Sequence, residues 1–381
     1  MVDEQWLRAA SDTEEAVTLT SQLVAIRSYP GEEGAVQRAV AEWLRENGLE
    51  PELMPTEGDR PNVVARVENG EGPTLLLNGH VDTVLAAAGW SSDPWQARRE
   101  GDRLYGLGAG DMKAGVAAAM LITRALAQRR DLWRGTVIFT SVVDEEAYSI
   151  GARALIDAGI RADACIVTEP SWDHPTLGGV GKVLVRGDVI GRASHGSLPE
   201  EGINAAVEAA RLIARLDEMP LGQHPKMKSS QSVLSLHSGS EQYVITVPER
   251  ARFTINRHIV PGETNESVLA EMRALADSLN SPATFEFAID PPYYPPWEQP
   301  VDHPLVERFS RAYAAELGKE PEFGYFPGVS DANYFSADAG IPTIQFGPRA
   351  VGLHQRDEWV DIPTIGGTIR VILRLALDLL Q

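Results

Sequence analysis

The 381-residue sequence holds a single cysteine, Cys165, so no internal disulfide can form and nothing in the chain demands an oxidising compartment. Basic residues are scarce too: 34 lysines and arginines stand against 54 aspartates and glutamates, a net charge of −20. That balance excludes the basic footprint of a nucleic-acid binder and opposes adhesion to anionic membranes. No apolar run approaches the roughly 20 residues of a membrane span. The N-terminal stretch MVDEQWLRAASDTEEAVTLT lacks both the basic segment and the apolar core of a secretory leader. A cytoplasmic protein is the expectation, with neither nucleic acid nor membrane as a partner.

What is present is enough apolar material, 43% of residues, for a sizeable core, and a length that suits two domains. Helical periodicity over 13–26, 34–47, 113–129 and 151–158 alternates with apolar runs at 62–67, 73–79, 136–143 and 164–167. This predicts an α/β fold around a mostly parallel sheet covered on both faces. Beyond about residue 180 the texture changes. Alternating strands (KVLVRGDVI, QSVLSLHS, RARFTINRH, ATFEFAI) and two helices follow in the order βαββαβ, an α+β ferredoxin-like pattern that reads as an insertion. The stretch DPPYYPPWEQP, with five prolines in eleven residues, predicts an irregular, stiff return linker. A helix over 303–317, a strand over 341–346 and a helix over 363–380 then resume the first texture. The expected domains are 1–179 with 297–381, and 180–296.

In an open α/β sheet, ligands gather beyond the carboxyl ends of the strands. Here those ends are rich in acids and imidazoles: His80 and Asp82; Asp144, Glu145 and Glu146; Thr168 and Glu169; and, beyond GPRAVG, His354. Asp111 lies in GLGAGDMKAG, a glycine-rich turn that opens the long helix. Two carboxylates about 4 Å apart repel by about 4 kcal/mol at an effective dielectric near 20, so a cation must sit among them. Lys113 is the only nearby lysine. Mixed carboxylate and imidazole donors suit zinc or a similar divalent ion. Several acids with two imidazoles suggest two ions sharing one carboxylate. Within NGHVDTV, side chains two apart share a face, so His80 can ligate while Asp82 holds its other ring nitrogen. Adjacent Glu145 and Glu146 point in different directions, which lets one ligate while its neighbour activates water.

The set NGHVDTV, GLGAGDMKAG, VVDEEAYSIGA, VTEP, ASHGSLPEEGINA, RHIVPGE, SDANYF and GLHQRDEWV resembles the co-catalytic di-zinc deacylases and exopeptidases that include acetylornithine deacetylase, succinyl-diaminopimelate desuccinylase and glutamate carboxypeptidase. The resemblance spans nearly the whole chain. It implies a catalytic domain of zinc-exopeptidase type with an inserted lid and dimerisation domain, hence a homodimer. It also implies two Zn2+ ions, with Co2+ or Mn2+ as substitutes. By that resemblance His80, Asp111 and Glu169 hold one ion; Asp111, Glu146 and His354 hold the other. Glu145 is the general base, Asp82 orients His80, and His195 of ASHGS stabilises the oxyanion, often across a dimer interface. The peptide from Asp111 to Met112 is commonly cis in such enzymes. Arg257, His258 and, in SDANYF, Asn333 are the candidates for substrate contact.

Two positions depart from the family pattern. Many relatives carry an asparagine three residues before the VP of the inserted domain and an arginine three before PGE. Ile245 and His258 stand there, with Gln242 and Tyr243 near the first and Arg257 beside the second. Recognition of a substrate carboxylate is therefore rearranged or absent. The resulting expectation is a metal-dependent amidohydrolase, a deacetylase-like enzyme acting on a small N-acyl amino acid or short peptide. A dipeptidase or carboxypeptidase is the alternative within the class, and a non-catalytic ligand-binding scaffold is the alternative outside it. His174, His224, His237 and His303 read as structural or surface residues, Met112 and Met120 as core, and Cys165 as an inert buried side chain.

Overall fold

The computed structural model describes residues 4–242 and 244–381. Tyr243, noted above beside Ile245, lies outside the described residues. The chain forms two compact units, one comprising Met1–Gly178, Glu298–Tyr325 and Ser330–Gln381, the other Gly179–Trp297 and Phe326–Val329.

At the centre of the first unit, strand Thr74–His80 buries Leu75, Leu76 and Leu77 completely and pairs in parallel with Gly135–Val142 and Ala164–Val167. Thr343–Gln345 continues in parallel beyond Ala164–Val167. Strands apolar on both faces are what a doubly covered sheet requires. The flanks correct the expectation of a mostly parallel sheet. Pro51–Met54, Asn62–Asn69 and Gly135–Val142 pair antiparallel in that order, and Gln345 opposes Thr176 antiparallel, so the sheet is mixed. Chain geometry explains it: residues 70–73 are too few for a crossover helix, so Asn62–Asn69 must run opposite to Thr74–His80 and to the strand parallel with it.

His80 stands opposite Val142 and Asn78 opposite Val167, so the three central strands end almost level. The acids that follow them therefore emerge at one edge. Behind that edge lies helix Ala114–Gln128, buried at every position from Ala114 to Thr123, between the sheet and helices Thr13–Val24 and Ile362–Leu379. A helix apolar all round belongs in such a place. Its first turn approaches the strand end so closely that a Cβ added to Gly115 would sit 2.1 Å from the Thr168 carbonyl oxygen. A second small sheet, formed by Ala350–Val351, Trp359–Asp361, Arg103–Tyr105 and Arg98–Glu100, was not foreseen because its strands of two or three residues carry no apolar run.

In the second unit Ser230–Ser238, Arg250–Ile259, Gly181–Ile190 and Thr284–Tyr294 form an antiparallel sheet in that spatial order. Helices Ala205–Ile213 and Asn265–Ser278 cover the face bearing Val183, Val185, Val189, Phe253 and Ile255. Strand Gly181–Ile190 alternates strictly between buried and half-buried residues, the period-2 signature of a sheet packed on one face. Here the proline-rich segment corrects the sequence-based expectation. Thr284–Tyr294 stays extended through Asp290–Tyr294, with a register shift between Asp290 and Tyr294. An edge strand tolerates proline at a bulge because the missing N–H has no ladder partner to serve there. Among the described residues no helix is long and apolar enough to cross a membrane.

Gly115→Ala should lower stability by about 1–3 kcal/mol through overpacking against the strand end that leads to Glu169. A reduced urea midpoint with an unchanged slope is the expected reading, and an unchanged midpoint would show that the helix shifts freely.

Candidate metal centre

His80 is 1% exposed, and its Nδ1 lies 3.0 Å from the Asp82 carbonyl oxygen. A carbonyl only accepts, so Nδ1 carries a proton, and Nε2 is the nitrogen turned toward the strand edge. Around that nitrogen stand Asp111 Oδ1 at 3.2 Å, Glu169 Oε1 at 3.5 Å and Glu145 Oε2 at 3.8 Å. On the other side of Asp111, His354 Nε2 lies 3.2 Å from Asp111 Oδ2 and 3.1 Å from Glu146 Oε1. The two oxygens of one carboxylate thus face two imidazoles, each with further acids beside it. Two overlapping sets, His80 with Asp111 and Glu146, and His80 with Glu145 and Glu169, have their donor atoms within 4.8 Å of one another.

Imidazole nitrogens and carboxylate oxygens at these distances are held together only by shared protons or by cations. Both signs of strain are visible. Hydrogen bonds to Asp111 and Glu146 push His354 up to about 10. Burial opposes charge on His80, yet Glu169, Asp111 and Asp82 carry its pKa well above the usual range. Burial raises Glu145 and Glu169 well above ordinary carboxylates and also raises Glu146. Asp111 goes the other way: against the effect of burial, the His354 and His80 imidazoles hold it below the usual carboxylate range. Nitrogen and oxygen donors in such proximity fit zinc or a similar divalent ion.

Asp82 does more than orient the ring. Its Oδ2 accepts from the Glu146 backbone N–H at 2.8 Å, tying two strand ends together, and its Oδ1 stays 3.6 Å from His80 Nδ1. The orienting contact expected from the Asp82 carboxylate is made chiefly by its backbone carbonyl. Lys113 is buried, but its Nζ donates to the Leu23 and Ile26 carbonyls at 3.0 Å each, capping a helix end, and burial lowers its pKa to about 7. It leaves the acids to find another cation. The peptide between Asp111 and Met112 is cis.

Two acids here escaped the sequence reading. Glu358 is 1% exposed, and its carboxylate accepts from the backbone N–H groups of Gly110, Asp111 and Gly108 at 2.8, 3.0 and 3.3 Å, fixing the turn that presents Asp111. Burial and the nearby Asp111 push Glu358 up to about 8. Asp331, inside SDANYF, accepts from Asn78 Nδ2 at 3.2 Å and is pushed by burial up to about 7. Both lie inside motifs quoted above, Asp331 in SDANYF and Glu358 in GLHQRDEWV, and that membership was the signal that could have found them.

Three of the remaining candidates, His195, Arg257 and His258, belong to the second unit. His195 is exposed in the second unit; its Nδ1 accepts from the Ser197 backbone N–H at 3.2 Å and contacts Ser197 Oγ at 2.7 Å, so the neutral ring carries its proton on Nε2. His258 is half-buried with Nδ1 3.1 Å from Ser230 Oγ, and burial lowers its pKa with help from Lys182. Arg257 corrects the expectation of substrate contact: it is 1% exposed and paired within its own unit to Glu263 at 2.5 Å and Glu271 at 2.8 Å. Adjacent residues on a strand face opposite ways, and Arg257 is the one turned into the packed face. Asn333 is fully buried, its Oδ1 accepting from the Ser330 N–H at 2.9 Å in a capping box, so it shapes a turn and does not present an exposed amide. His303 caps the helix Pro304–Leu317.

The raised carboxylates set a pH dependence. Between pH 4.5 and about 7 the folded, ion-free protein holds protons at Glu358, Asp331 and Glu33 that the unfolded chain releases, so its stability must fall as pH rises. Lys113 begins to act in the opposite sense only near 7. Urea midpoints of chelator-stripped protein should decline across that window, while saturating zinc should flatten the decline. Parallel curves with and without zinc would refute an ion at the centre.

A family model described as peptidase family M20/M25/M40 matches residues 76–378. Among curated relatives, a succinyl-diaminopimelate desuccinylase of Methylobacterium radiotolerans is 31% identical over 367 residues, covering 91% of this chain and 92% of the relative. Among solved structures, the aminopeptidase PepT of Bacillus cereus superposes with a TM-score of 0.80 at 22% identity, covering 97% and 99% of the two chains. The Bacillus subtilis YXEP protein, described as a dinuclear metal-binding peptidase, superposes with a TM-score of 0.75 at 18% identity over 99% of each. With its mixed α/β sheet and its ring of acids and imidazoles at one strand edge, the chain belongs to peptidase family M20/M25/M40.

Proposed function

We propose that this protein is a metal-dependent amidohydrolase that hydrolyses the amide of a small N-acyl amino acid, releasing a carboxylic acid and a free amine. The observation that carries the reading is the placement of Asp111 between two imidazole Nε2 atoms, each 3.2 Å from one of its oxygens. His80, Asp111 and Glu169 would hold one divalent ion and Asp111, Glu146 and His354 a second. Zinc is the favoured metal, with cobalt or manganese as substitutes. Bound ions supply Lewis acidity, polarising the scissile carbonyl and easing deprotonation of water.

The chain's own residues do the rest. Glu145 takes the proton from the attacking water and returns it to the departing nitrogen. Burial raises its pKa well above the ordinary carboxylate range, which makes it a stronger base. His195, with Nε2–H as its outward donor, is assigned to the developing oxyanion, and half-buried His258 to a polar group of the substrate. His258 is neutral at physiological pH because burial and Lys182 disfavour its charge. This suits a hydrogen bond better than a carboxylate clamp. The likeness to a desuccinylase at 31% identity favours deacylation. The likeness to peptidases keeps a dipeptidase as the second reading.

The edge strand Ser230–Ser238, with Val233, Leu234 and Leu236 exposed, supports a homodimer formed through the second unit. The lone buried Cys165 suits the cytoplasm.

A hydrolysis screen over N-acyl amino acids and dipeptides, with chelator and with added zinc or cobalt, should give metal-dependent release of amine. No turnover on any substrate by metal-replete protein would refute the reading. Glu145→Gln should retain both ions and lose about 100- to 10,000-fold in kcat. A loss of metal instead would make Glu145 a ligand. His195→Ala should lower kcat with both ions bound, and unchanged activity would remove it from the reaction.

A further inference from the structure

Neighbouring residues on an extended chain face opposite ways, but Glu145 and Glu146 must leave a single turn toward two different imidazoles. The turn that achieves this begins at Asp144, which adopts the left-handed conformation with φ of 68° although it is not glycine. Its carbonyl accepts from the N–H groups of Ala147, Tyr148 and Ser149 at 3.3, 3.1 and 2.6 Å, and its Oδ2 accepts from the Tyr148 N–H at 3.0 Å. Hydrogen bonds local to the turn therefore stitch it from inside. The remaining oxygen, Oδ1, accepts from Arg60 Nη1 at 2.6 Å.

Arg60 is itself held. Its Nη1 is shared with Glu33 Oε1 at 3.2 Å, and its Nε donates to the Glu57 carbonyl at 3.2 Å. The Arg60 side chain is 13% exposed, Asp144 4% and Glu33 not at all. Glu33 ends the approach to helix Gly34–Glu46, and Arg60 lies two residues before the strand Asn62–Asn69. One guanidinium thus ties a helix start and a strand start to the residue before Glu145. Nothing in the hydrolytic chemistry uses it, since none of its contacts reaches a proposed ligand.

We propose that Arg60 is a positioning residue: through its ion pair with Asp144 it fixes the turn from which Glu145 faces His80 and Glu146 faces His354. The inference rests on the proposed hydrolase reading for its kinetic arm only. Without Arg60 the Asp144 and Glu33 carboxylates lose their common buried partner, and relief requires Asp144 to rotate toward water. That rotation carries the Glu146 backbone away from Asp82 Oδ2, now 2.8 Å distant, and its carboxylate away from His354.

The test compares Arg60→Met, Arg60→Lys and Asp144→Asn, the last because asparagine tolerates the left-handed conformation while losing the charge. Zinc affinity, read by competition with a chromophoric chelator, should weaken about 10- to 100-fold for the more weakly held ion in Arg60→Met and Asp144→Asn. kcat should fall by a similar factor with KM within about twofold, because substrate binding before the chemical step is untouched. Arg60→Lys should recover thermal stability and part of both losses. The double variant Arg60→Met with Asp144→Asn should be no worse than the poorer single one, since both remove one interaction. If Arg60→Met does not fold, Arg60→Lys and Asp144→Asn carry the test alone. Wild-type zinc affinity and kcat in folded variants, with only the melting temperature lowered, would reduce Arg60 to a structural ion pair and overturn the proposal. Should the wild-type protein hydrolyse nothing, the hydrolase reading fails, and the zinc competition still decides the role of Arg60.

Discussion

Negative charge packed beyond what protein groups can neutralise is the constraint on which this molecule turns. Asp111, Glu145, Glu146 and Glu169 converge at one strand edge, with Asp82, Asp331 and Glu358 buried close behind. Lys113 spends its charge on helix carbonyls and Arg60 on Glu33 and Asp144. A fold that tolerates such a concentration stores a demand for cations in its native state, and that demand is a binding free energy once ions arrive. The parallel centre of the sheet exists, in functional terms, to make several strands end level so that the acids meet.

The supporting residues act on backbone as much as on side chains. Glu358 grips three N–H groups of the Gly108–Asp111 turn, Asp82 grips the Glu146 N–H, and the Asp82 carbonyl sets the tautomer of His80. Each bond trades a buried carboxylate or carbonyl oxygen against a donor that would otherwise be unsatisfied. The same contacts fix the backbone from which His80, Asp111 and Glu146 project, the kind of support that metal chemistry requires.

Much of this was legible before any coordinates. Strand-end His80, Glu146 and Glu169 could be found because apolar runs announce where strands stop and because open α/β sheets use those ends. His354 followed from the last such run, over 341–346, which leads to it through GPRAVG. Other features were invisible for physical reasons. Glu358 matters through backbone groups some 250 residues earlier in the chain, a contact that no local pattern encodes. Arg257 and His258 are neighbours of similar chemistry, and only the side of the sheet on which each falls separates an internal ion pair from a half-buried imidazole. The antiparallel flanks followed from a four-residue connection whose meaning depended on which strand lay next door. Proline content misled at Asp290–Tyr294 because the rule against proline concerns ladder donors, and an edge bulge needs none.

The insertion of residues 179–297 between Glu169 and His354 has a consequence for biogenesis. As the chain leaves the ribosome, His80, Asp111, Glu145, Glu146 and Glu169 emerge first, then the whole main segment of the second unit, and only afterwards Thr343–Gln345 and His354. The strand that must lie beside Ala164–Val167, and the imidazole proposed to complete the second half of the centre, are therefore delivered only after the main segment of the second unit. Until His354 emerges, the set of donors proposed for the second ion is unfinished.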